Sequence, residues 1–425
     1  MMPLPLRTDR CIQVSGYVTN CLTAKGSPGS VRVDTLTVIV SLAGMYLISR
    51  NTAGSTDTIV IGGGLVGASV ATGLAQASHR VTVLDGGDAD FRSSRGNFGL
   101  VWVQGKGAHS VPYAQWTGAA AKAWPGFAAE LLDSTGVDVQ LQQTGGIDYF
   151  LSESDFQVQA TNMQRVHEHT EGMFKYQMLY NHEVRDLIPQ VSEAVFGASF
   201  SPADGHVNPL KLLKALHIKM QQHGCRYIPD SPVIDIKAHS DSFEVLTKNN
   251  RFFCEKLVLA SGLANTALAE KLGMTVPLKP NQGQLLITER FKPFLTIPSI
   301  HIRQTDEGTL QIGDSHADAG FNDSTSLEVL AKICSRLLKI FPHLASVNVI
   351  RSWSALRVLT PDGLPIYERS RQWPNAYAVN CHSGVTLAAQ HATVLSQWIS
   401  AGSDATGDNH KGIISEFSAA RFADV

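Results

Sequence analysis

From residue 56 onward, the apolar and polar positions predict short strands that alternate with helices. Thr58–Ile61 is a β-branched run typical of a buried parallel strand, and the small and apolar residues after it recur at helical spacing. A second strand is predicted over Arg80–Asp85. Ala376–Asn380 predicts another strand, followed by a buried helix that starts near Gly384. This alternation indicates an α/β fold with a Rossmann-like parallel sheet.

The turn after the first strand has the G-x-G-x-x-G spacing of a dinucleotide site. Its glycines permit a tight turn, close approach of a pyrophosphate to the backbone, and close packing of helix on strand. The free N–H groups at the start of the helix face the phosphates. Asp85 ends the second strand and can accept hydrogen bonds from both ribose hydroxyls, and its charge would repel a 2′-phosphate. The candidate contacts in the turn are Gly62, Gly64, Leu65, Val66 and Gly67.

This motif leaves NAD and FAD open, and the loop at residues 90–110 favours FAD. The loop is rich in glycine, hydroxyl and amide groups, at a point where an NAD dehydrogenase normally continues to another helix and strand. Glycines permit close approach, so we interpret the loop as a lining for the pyrophosphate and the flavin. A plain surface loop is the alternative. The candidate contacts are Ser93, Ser94, Gly96, Asn97 and Gly99.

Further segments occur in an order that resembles the D-amino-acid-oxidase-like (DAO) family of FAD-dependent oxidoreductases. The resemblance covers about residues 56–400 and implies a Rossmann-like FAD-binding domain with a second, mixed-sheet substrate domain. It also implies an FAD contact at the glycine turn of Gly262. The segments that carry the resemblance are residues 204–236, 256–273, 276–289, 352–367 and 376–399.

Two short stretches resemble one subgroup of this family. "GNFGLVWVQGKG" and "CHSGVTLA" look most like the flavoprotein subunits of opine oxidases, D-hydroxyproline dehydrogenase and hydrogen cyanide synthase. Glycine oxidase and sarcosine oxidase are more distant. The likeness implies a heteromeric complex with a second, larger FAD-binding subunit and a small iron–sulfur subunit.

Arg357 is a cation in an otherwise apolar stretch, "SALRVLTPDGLP". In the DAO family the segment ahead of the T-x-D-G-x-P turn supplies the guanidinium that binds the substrate carboxylate, and the resemblance assigns this role to Arg357. Ala355 departs from the family, which has glycine there. A bidentate fork fits a carboxylate. The alternatives are an ion pair with a nearby acid or a side chain that reaches the surface. Asp362 is interpreted as a turn residue.

The segment after Asn380 is expected to meet the flavin. The start of its helix carries partial positive charge, which can face the N1–C2=O edge of the ring. We expect Ser383 to cap the helix and Thr386 to reach the flavin; Gly384 and Val385 complete the candidate contacts.

Histidines offer weaker candidates for catalysis. His382 is a candidate base. Glycine oxidase-like relatives have arginine at this position, so the sequence departs from the family here, and a second cationic contact with the substrate is in doubt. Cys381 is a candidate for a covalent flavin link, with a buried thiol as the ordinary alternative. His206 and His316 are interpreted as ordinary loop histidines. The "IGDSHADAG" segment, residues 312–320, is interpreted as a hairpin or loop end in the substrate domain.

The function implied is oxidation of the C–N bond of an amino acid or secondary amino acid of the opine, D-hydroxyproline, sarcosine or glycine class. The Cα hydride goes to flavin N5 and an imine results, so a dedicated base is not required once the neutral amine is bound. The alternative is a flavin-carrying subunit for electron transfer or assembly, with substrate oxidation in a partner. An NAD-dependent dehydrogenase is a third, less favoured option.

Composition limits the partners. The chain has 425 residues, 44% hydrophobic and 17% charged, with a formal net charge of −2, so it has no global field for nucleic acid or an anionic membrane. Its six cysteines include no C-x-x-C pair, which argues against a zinc site or a disulfide framework. No metal is expected. We expect a cytoplasmic protein, with association with the cytoplasmic face of the membrane as an alternative.

Residues 1–55 differ from the rest. Their apolar stretch has about 15 residues, below the roughly 20 needed to span a bilayer, and it lies too far from the N-terminus for a secretory signal. We expect this extension to be disordered or not native, with Met45 as the natural start. The FAD-binding domain is predicted at 56–110, 200–275 and 350–400, the substrate domain at 111–199 and 276–349, and a tail at 401–425.

Overall fold

The computed structural model describes residues 31–33, 36–41, 44–46, 56–87, 93–402 and 408–422. The chain divides into two units, residues 1–55 and 56–425. In the first unit, β1 (Val31–Val33), β2 (Leu36–Ser41) and β3 (Gly44–Tyr46) pair antiparallel in that order. The rest of the extension lies outside the described residues, and its origin stays a prediction.

The second unit alternates strands and helices. Its strands are β4 (Thr56–Ile61), β5 (Val81–Leu84), β6 (Leu100–Val101), β7 (Gly146–Phe150), β8 (Gln177–Tyr180), β9 (Gly197–Ser201), β10 (Gly205–His206), β11 (Arg226–Ile228), β12 (Val233–Ala238), β13 (Phe243–Thr247), β14 (Arg251–Leu259), β15 (Lys279–Arg290), β16 (Ile302–Gln304), β17 (Thr309–Ile312), β18 (Val349–Leu359), β19 (Ile366–Arg369) and β20 (Ala376–Asn380). Its helices are α1 (Leu65–Gln76), α2 (Val111–Thr135), α3 (Glu153–His169), α4 (Asn181–Leu187), α5 (Pro209–Gln222), α6 (Asn265–Glu270), α7 (Leu327–Ile340), α8 (Ala388–Gln390), α9 (Ser396–Ala401) and α10 (Asp408–Ser415). A π-helical turn, His391–Leu395, joins α8 to α9.

One sheet of eight strands carries the nucleotide fold. Strands β11, β5, β4, β14 and β20 are parallel neighbours, while β13 and β12 continue antiparallel from β14, and β19 pairs antiparallel with β20. Val60 is buried in the core on one face, and Ile59 and Ile61 are buried in the core on the other. Two-sided burial explains why this strand is a continuous apolar run. The predicted Rossmann-like sheet is confirmed.

The second layer is built from antiparallel sheets. One has the order β16-β17-β15-β18, and β15 pairs with β18 along almost its whole length. The other has the order β7-β9-β8. Helix α7 buries Ile333, Leu337 and Ile340 in the shared apolar core of this layer, which is the spacing of an amphipathic helix. A second domain was predicted with a mixed sheet, and its sheets are antiparallel.

The predicted domain boundaries stay predictions, and two elements near them have contacts in the other predicted domain. Helix α2 was placed in the substrate domain, yet its Trp116 and Trp124 are fully buried in the core that contains Val60. Strand β18 was placed in the FAD-binding domain, and it pairs with β15 of the second layer. The local pattern of each element does not encode these long-range contacts. No helix within the described ranges is both long enough and apolar enough to cross a membrane.

Candidate active site

A cleft lies at the carboxyl ends of the parallel strands, where α/β sheets bind ligands. Strands β4, β5, β14 and β20 all end at a cavity of about 160 Å³. Many of the predicted cofactor contacts line it, and these are Gly62, Gly64, Leu65, Val66, Asp85, Ser93, Ser94, Asn97, Gly262 and Gly384.

The glycine turn forms a cradle that side chains would fill. Gly62 has φ +104°, in the region that favours glycine, and a Cβ there would collide with the carbonyl oxygen of Ala260. A Cβ on Gly64 would lie 2.8 Å from Ser94 Oγ. The backbone N–H of Leu65, at the start of α1, donates to this hydroxyl at 2.9 Å. A pyrophosphate can therefore reach bare backbone and the start of a 12-residue helix, which fits FAD.

Asp85 connects the second strand to the glycine turn. Its carboxylate accepts hydrogen bonds from the backbone N–H of Gly63 at 2.6 Å and of Gly87 at 3.1 Å. The side chain is buried but lines the cavity. Its predicted bond to the ribose hydroxyls stays a prediction, and its contribution to holding the turn is an additional role.

Two predicted contacts line neither cavity of the site. Gly67 lets α1 approach the turn, because a Cβ there would collide with the carbonyl oxygen of Gly62. Gly99 has φ +92°, and a Cβ there would collide with the carbonyl oxygen of Val207. Both glycines support the site through packing, and neither is placed to touch a ligand directly.

A second cavity, of about 270 Å³, continues from the first. Both are lined by Ser93, Asn97, Val358, Cys381 and His382. The larger cavity adds side chains from the second layer, so the cleft runs between the layers. The residues that line the larger cavity but not the smaller one include Gly96, Phe98, Leu100, Trp102, Lys106, Gly283, Leu285, Asp314, His316, Arg357, Val385 and Thr386.

Arg357 faces this second cavity from β18. Its Nη1 donates to the carbonyl oxygen of Ser315 at 2.6 Å and to Asn281 Oδ1 at 3.1 Å. Its Nε and Nη2 make no hydrogen bond within the described part of the chain, and no carboxylate there lies within 4.0 Å of the guanidinium. The ion-pair alternative is therefore not observed. Burial lowers the pKa of Arg357, although an arginine stays protonated at physiological pH.

Gly283 makes the position of Arg357 possible. A Cβ at Gly283 would lie 2.6 Å from Nη1 and 2.8 Å from Nη2 of Arg357. The guanidinium therefore lies directly over the bare backbone of β15. Asn281 lies two residues before Gly283 and pairs with Arg357 in the strand register. Its side-chain oxygen accepts a hydrogen bond from Nη1 of the guanidinium.

The loop after β17 carries Asp314 and His316 into the cavity. His316 Nε2 lies 3.1 Å from Asp314 Oδ1, and His316 Nδ1 lies 3.0 Å from Asn281 Oδ1. Burial raises the pKa of Asp314, but the hydrogen bonds from His301 and His316 outweigh it, so the net pKa is lowered. The sequence marked this segment only as a loop end; its position beside Arg357 was missed, and the G-D-x-x-H pattern was the available signal.

Lys106 was also missed. It lies in the loop after β6 and lines the cavity, with Nζ 3.1 Å from Thr386 Oγ1. Burial lowers its pKa to about 8, with the nearby Asp204 acting in the opposite direction. The signal was a single lysine in the glycine-rich run "GNFGLVWVQGKG".

The segment after β20 differs from its prediction in two respects. Residues 384–387 form a turn and the regular helix begins at Ala388. Ser383 does not cap that helix, because its hydroxyl pairs with the Tyr113 hydroxyl at 3.0 Å. Thr386 lines the cavity, and its hydroxyl donates to the carbonyl oxygen of Leu100 at 3.3 Å. Its contact with the flavin stays a prediction.

Two candidate reactive groups have unfavourable pKa values. Desolvation lowers the pKa of His382, and the positive charges of Lys106 and Arg357 act in the same direction, although the side chain is exposed on the cavity wall. Such an imidazole is neutral and a weak base. Burial raises the pKa of the Cys381 thiol to about 12, which disfavours a reactive thiolate.

His206 lies outside the cavity. Its ring contacts Arg303 Nη1 at 3.1 Å and Gln142 Oε1 at 3.2 Å, and burial lowers its pKa to about 3. Its contacts are those of a structural histidine, as interpreted from the sequence.

Comparison with known proteins agrees with this site. The model of the DAO family, FAD dependent oxidoreductase, matches residues 57–398. An opine oxidase subunit of Agrobacterium tumefaciens (strain Ach5) is 43% identical over 367 residues, which are 86% of this chain and 97% of that protein. Glycine oxidase of Bacillus licheniformis is 26% identical over 318 residues, 74% of this chain and 84% of that protein.

A solved structure shows the same fold. The crystal structure of glycine oxidase from Geobacillus kaustophilus has a TM-score of 0.75 at 23% identity and covers 86% of this chain and 98% of its own. The α/β fold class, the likeness to an opine oxidase subunit, the FAD cofactor and the assignment as an amino-acid or amine oxidoreductase are confirmed. The chain belongs to the DAO family of FAD-dependent oxidoreductases.

Proposed function

We propose that the protein oxidises the C–N bond of an amino acid or secondary amino acid whose carboxylate is bound by Arg357. The observation that carries the proposal is the guanidinium with two donors, Nε and Nη2, that no described group accepts, in a cavity continuous with the nucleotide cleft. Within the opine, D-hydroxyproline, sarcosine and glycine classes, 43% identity to an opine oxidase subunit favours an opine-like secondary amino acid.

The protein's contribution is binding and orientation. A bidentate guanidinium fixes the carboxylate, and this fixes the direction of the Cα–H bond. FAD bound in the cleft would supply the acceptor for the hydride from Cα. The nitrogen lone pair then forms the C=N bond, and water hydrolyses the imine to an oxo acid and an amine. The substrate is proposed to bind as the neutral amine, so a dedicated base is not required.

The cofactor contacts follow from the cleft. We propose that the glycine turn and the start of α1 bind the pyrophosphate, that Asp85 binds the ribose, and that Gly262 lies near the FAD. Ser383, Val385 and Thr386 line the adjoining cavity and would contact the flavin ring.

A second candidate is a flavin-carrying subunit for electron transfer or assembly, with substrate oxidation in a partner. Two relatives are named as subunits, one of opine oxidase and one, HcnC, of hydrogen cyanide synthase. On that basis we propose a heteromeric complex with a second FAD-binding subunit and a small iron–sulfur subunit. The free thiols of Cys225, Cys254, Cys334 and Cys381 support a reducing, cytoplasmic location, and association with the cytoplasmic face of the membrane is retained as its alternative.

The test is Arg357→Leu, with Arg351→Leu as the matched control. Arg351 lies on the same strand but is exposed and stacks on Trp353 at 5.9 Å. The purified proteins are mixed anaerobically with octopine, nopaline, D-hydroxyproline, sarcosine and glycine, and bleaching of the flavin absorbance is followed. We expect the wild type and the control to bleach with at least one compound, and Arg357→Leu to keep its FAD without bleaching. Unchanged bleaching in Arg357→Leu would refute the role of Arg357. Bleaching in the wild type with none of these compounds would favour the electron-transfer role.

A further inference from the structure

The cavity beside Arg357 has more positive than negative side chains. Among the described residues that line it, Arg357 and Lys106 are cations, His316 and His382 are imidazoles, and Asp314 is the sole carboxylate. Asp314 is already engaged by other groups of the protein, at 3.1 Å by His316, 3.5 Å by His301 and 3.6 Å by Arg336. The acid therefore does not neutralise the two cations. A space of this kind favours a ligand with more than one negative charge.

Lys106 has hydrogen-bonding capacity that the protein does not use. Its ammonium has three N–H donors, and its one bond within the described chain goes to Thr386 Oγ1. No carboxylate of the described residues lies within 4.0 Å of it. The nearest acid, Asp204, is satisfied by the backbone N–H of Val103 and by Gln104 Nε2, the latter at 2.7 Å.

Lys106 and Arg357 face the same space from different elements. Arg357 projects from β18 in the second layer, whereas Lys106 comes from the loop after β6. Both line one cavity, and the positive charges of both lower the pKa of His382, which lies on that cavity's wall. A ligand whose carboxylate is bound at Arg357 would therefore share this cavity with the ammonium.

We propose that Lys106 is a specificity residue that binds a second carboxylate, so that the preferred substrate is a secondary amine flanked by two carboxylates. Arg357 binds the carboxylate on the carbon that is oxidised, and Lys106 binds the carboxylate on the other nitrogen substituent. This inference rests on the proposed amino-acid oxidation. No redox step is assigned to Lys106, which forms and breaks no covalent bond.

The test compares two probes that differ only by the second carboxylate, iminodiacetate and sarcosine. Their dissociation constants are measured in anaerobic titrations that follow flavin absorbance, with the wild type, Lys106→Met and Lys106→Arg. One charge-assisted contact predicts that the wild type prefers iminodiacetate by about 10- to 100-fold. Lys106→Met should lose this preference with sarcosine binding unchanged, and Lys106→Arg should restore most of it. Lys122→Met, at an exposed position of α2, should behave as the wild type.

Three results would overturn the inference. The first is a wild type that binds both probes equally. The second is a Lys106→Met variant that weakens both probes to the same extent. The third is a variant that keeps the preference while its affinity for sulfite, a measure of flavin electrophilicity, falls; Lys106 would then act on the flavin. Lack of any response of the wild-type flavin to the whole amino-acid panel contradicts the proposed function itself, whereas a response without the preference contradicts only the role of Lys106.

Discussion

Replacing Gly283 by alanine perturbs Arg357 without removing its charge. The new methyl group would lie 2.6 Å from Nη1 and 2.7 Å from Cζ of Arg357, well inside van der Waals contact. The backbone of β15 stays in place because it pairs with β18 over ten positions. The free end of the arginine is the part that can move, so the guanidinium must shift away from the strand. The fold is retained and the substrate site is displaced.

The size of the effect follows from the contacts at stake. The guanidinium offers Nε and Nη2 to a carboxylate, and each charge-assisted hydrogen bond contributes about 1.5–3 kcal/mol. A displaced guanidinium that keeps one of the two hydrogen bonds to the carboxylate loses the free energy of the other. This corresponds to a loss of about 10- to 150-fold in substrate affinity. Gly283 is not in the left-handed region of φ, so no backbone strain adds to it.

Stopped-flow flavin reduction under anaerobic conditions measures this loss directly. We expect the dissociation constant of the substrate to rise in Gly283→Ala while the midpoint of thermal unfolding and the FAD content stay near those of the wild type. Gly118→Ala in α2 is the control, because its Cβ has open space within 4 Å. An unchanged dissociation constant in Gly283→Ala would refute the argument that the guanidinium over β15 is the carboxylate site.

Three further changes test the cofactor cleft and the second layer. Gly67→Ala forces a collision with the carbonyl oxygen of Gly62, so we expect loss of FAD or of soluble protein, read from the ratio of flavin to protein absorbance. Ser94→Ala removes the acceptor for the Leu65 N–H, and we expect weaker FAD binding by about 1 kcal/mol in apoprotein titrations; unchanged affinity would contradict a role of this hydroxyl in the site. Burial raises the pKa of Asp148 from 3.8 to about 6, so the unfolded chain ionises first and wild-type stability falls as pH rises through this window. Relative to the wild type, Asp148→Asn should therefore gain about 2.5 kcal/mol in free energy of unfolding between pH 4 and pH 7, measured by urea denaturation; equal slopes would contradict this.

The nucleotide half of the site could be predicted because its information is local. Residues 56–85 contain a strand, a turn, a helix, a strand and an acid in one continuous stretch, and each glycine has a steric reason to be there. Arg357 could be proposed through its resemblance to the family segment and its position in an apolar run. The capping role of Ser383 was wrong because its competing partner, Tyr113, lies 270 positions away.

The substrate half depends on contacts between distant segments. The importance of Gly283 arises only when β18 pairs with β15 and places Arg357 over it. Asp314 and His316 lie in a loop whose direction is set by the end of β17 and by Arg336, which donates to the backbone oxygens of Gly313 and Asp314 at 2.6 and 2.7 Å. Periodicity in one segment cannot encode such an approach.

Lys106 shows why charge in a sequence is a weak guide to charge in a site. A lysine between two glycines is usually a solvated surface residue. An ion pair with the nearest acid would also neutralise its charge. Here the acid that approaches it, Asp204, has a pKa raised by burial to about 7 and directs its oxygens to Val103 and Gln104. The positive charge of the Lys106 ammonium therefore remains available to a ligand in the cavity. In this chain the cofactor follows from a contiguous motif, whereas substrate preference follows from which buried charges remain uncompensated, and that depends on the folded arrangement of every acid around them.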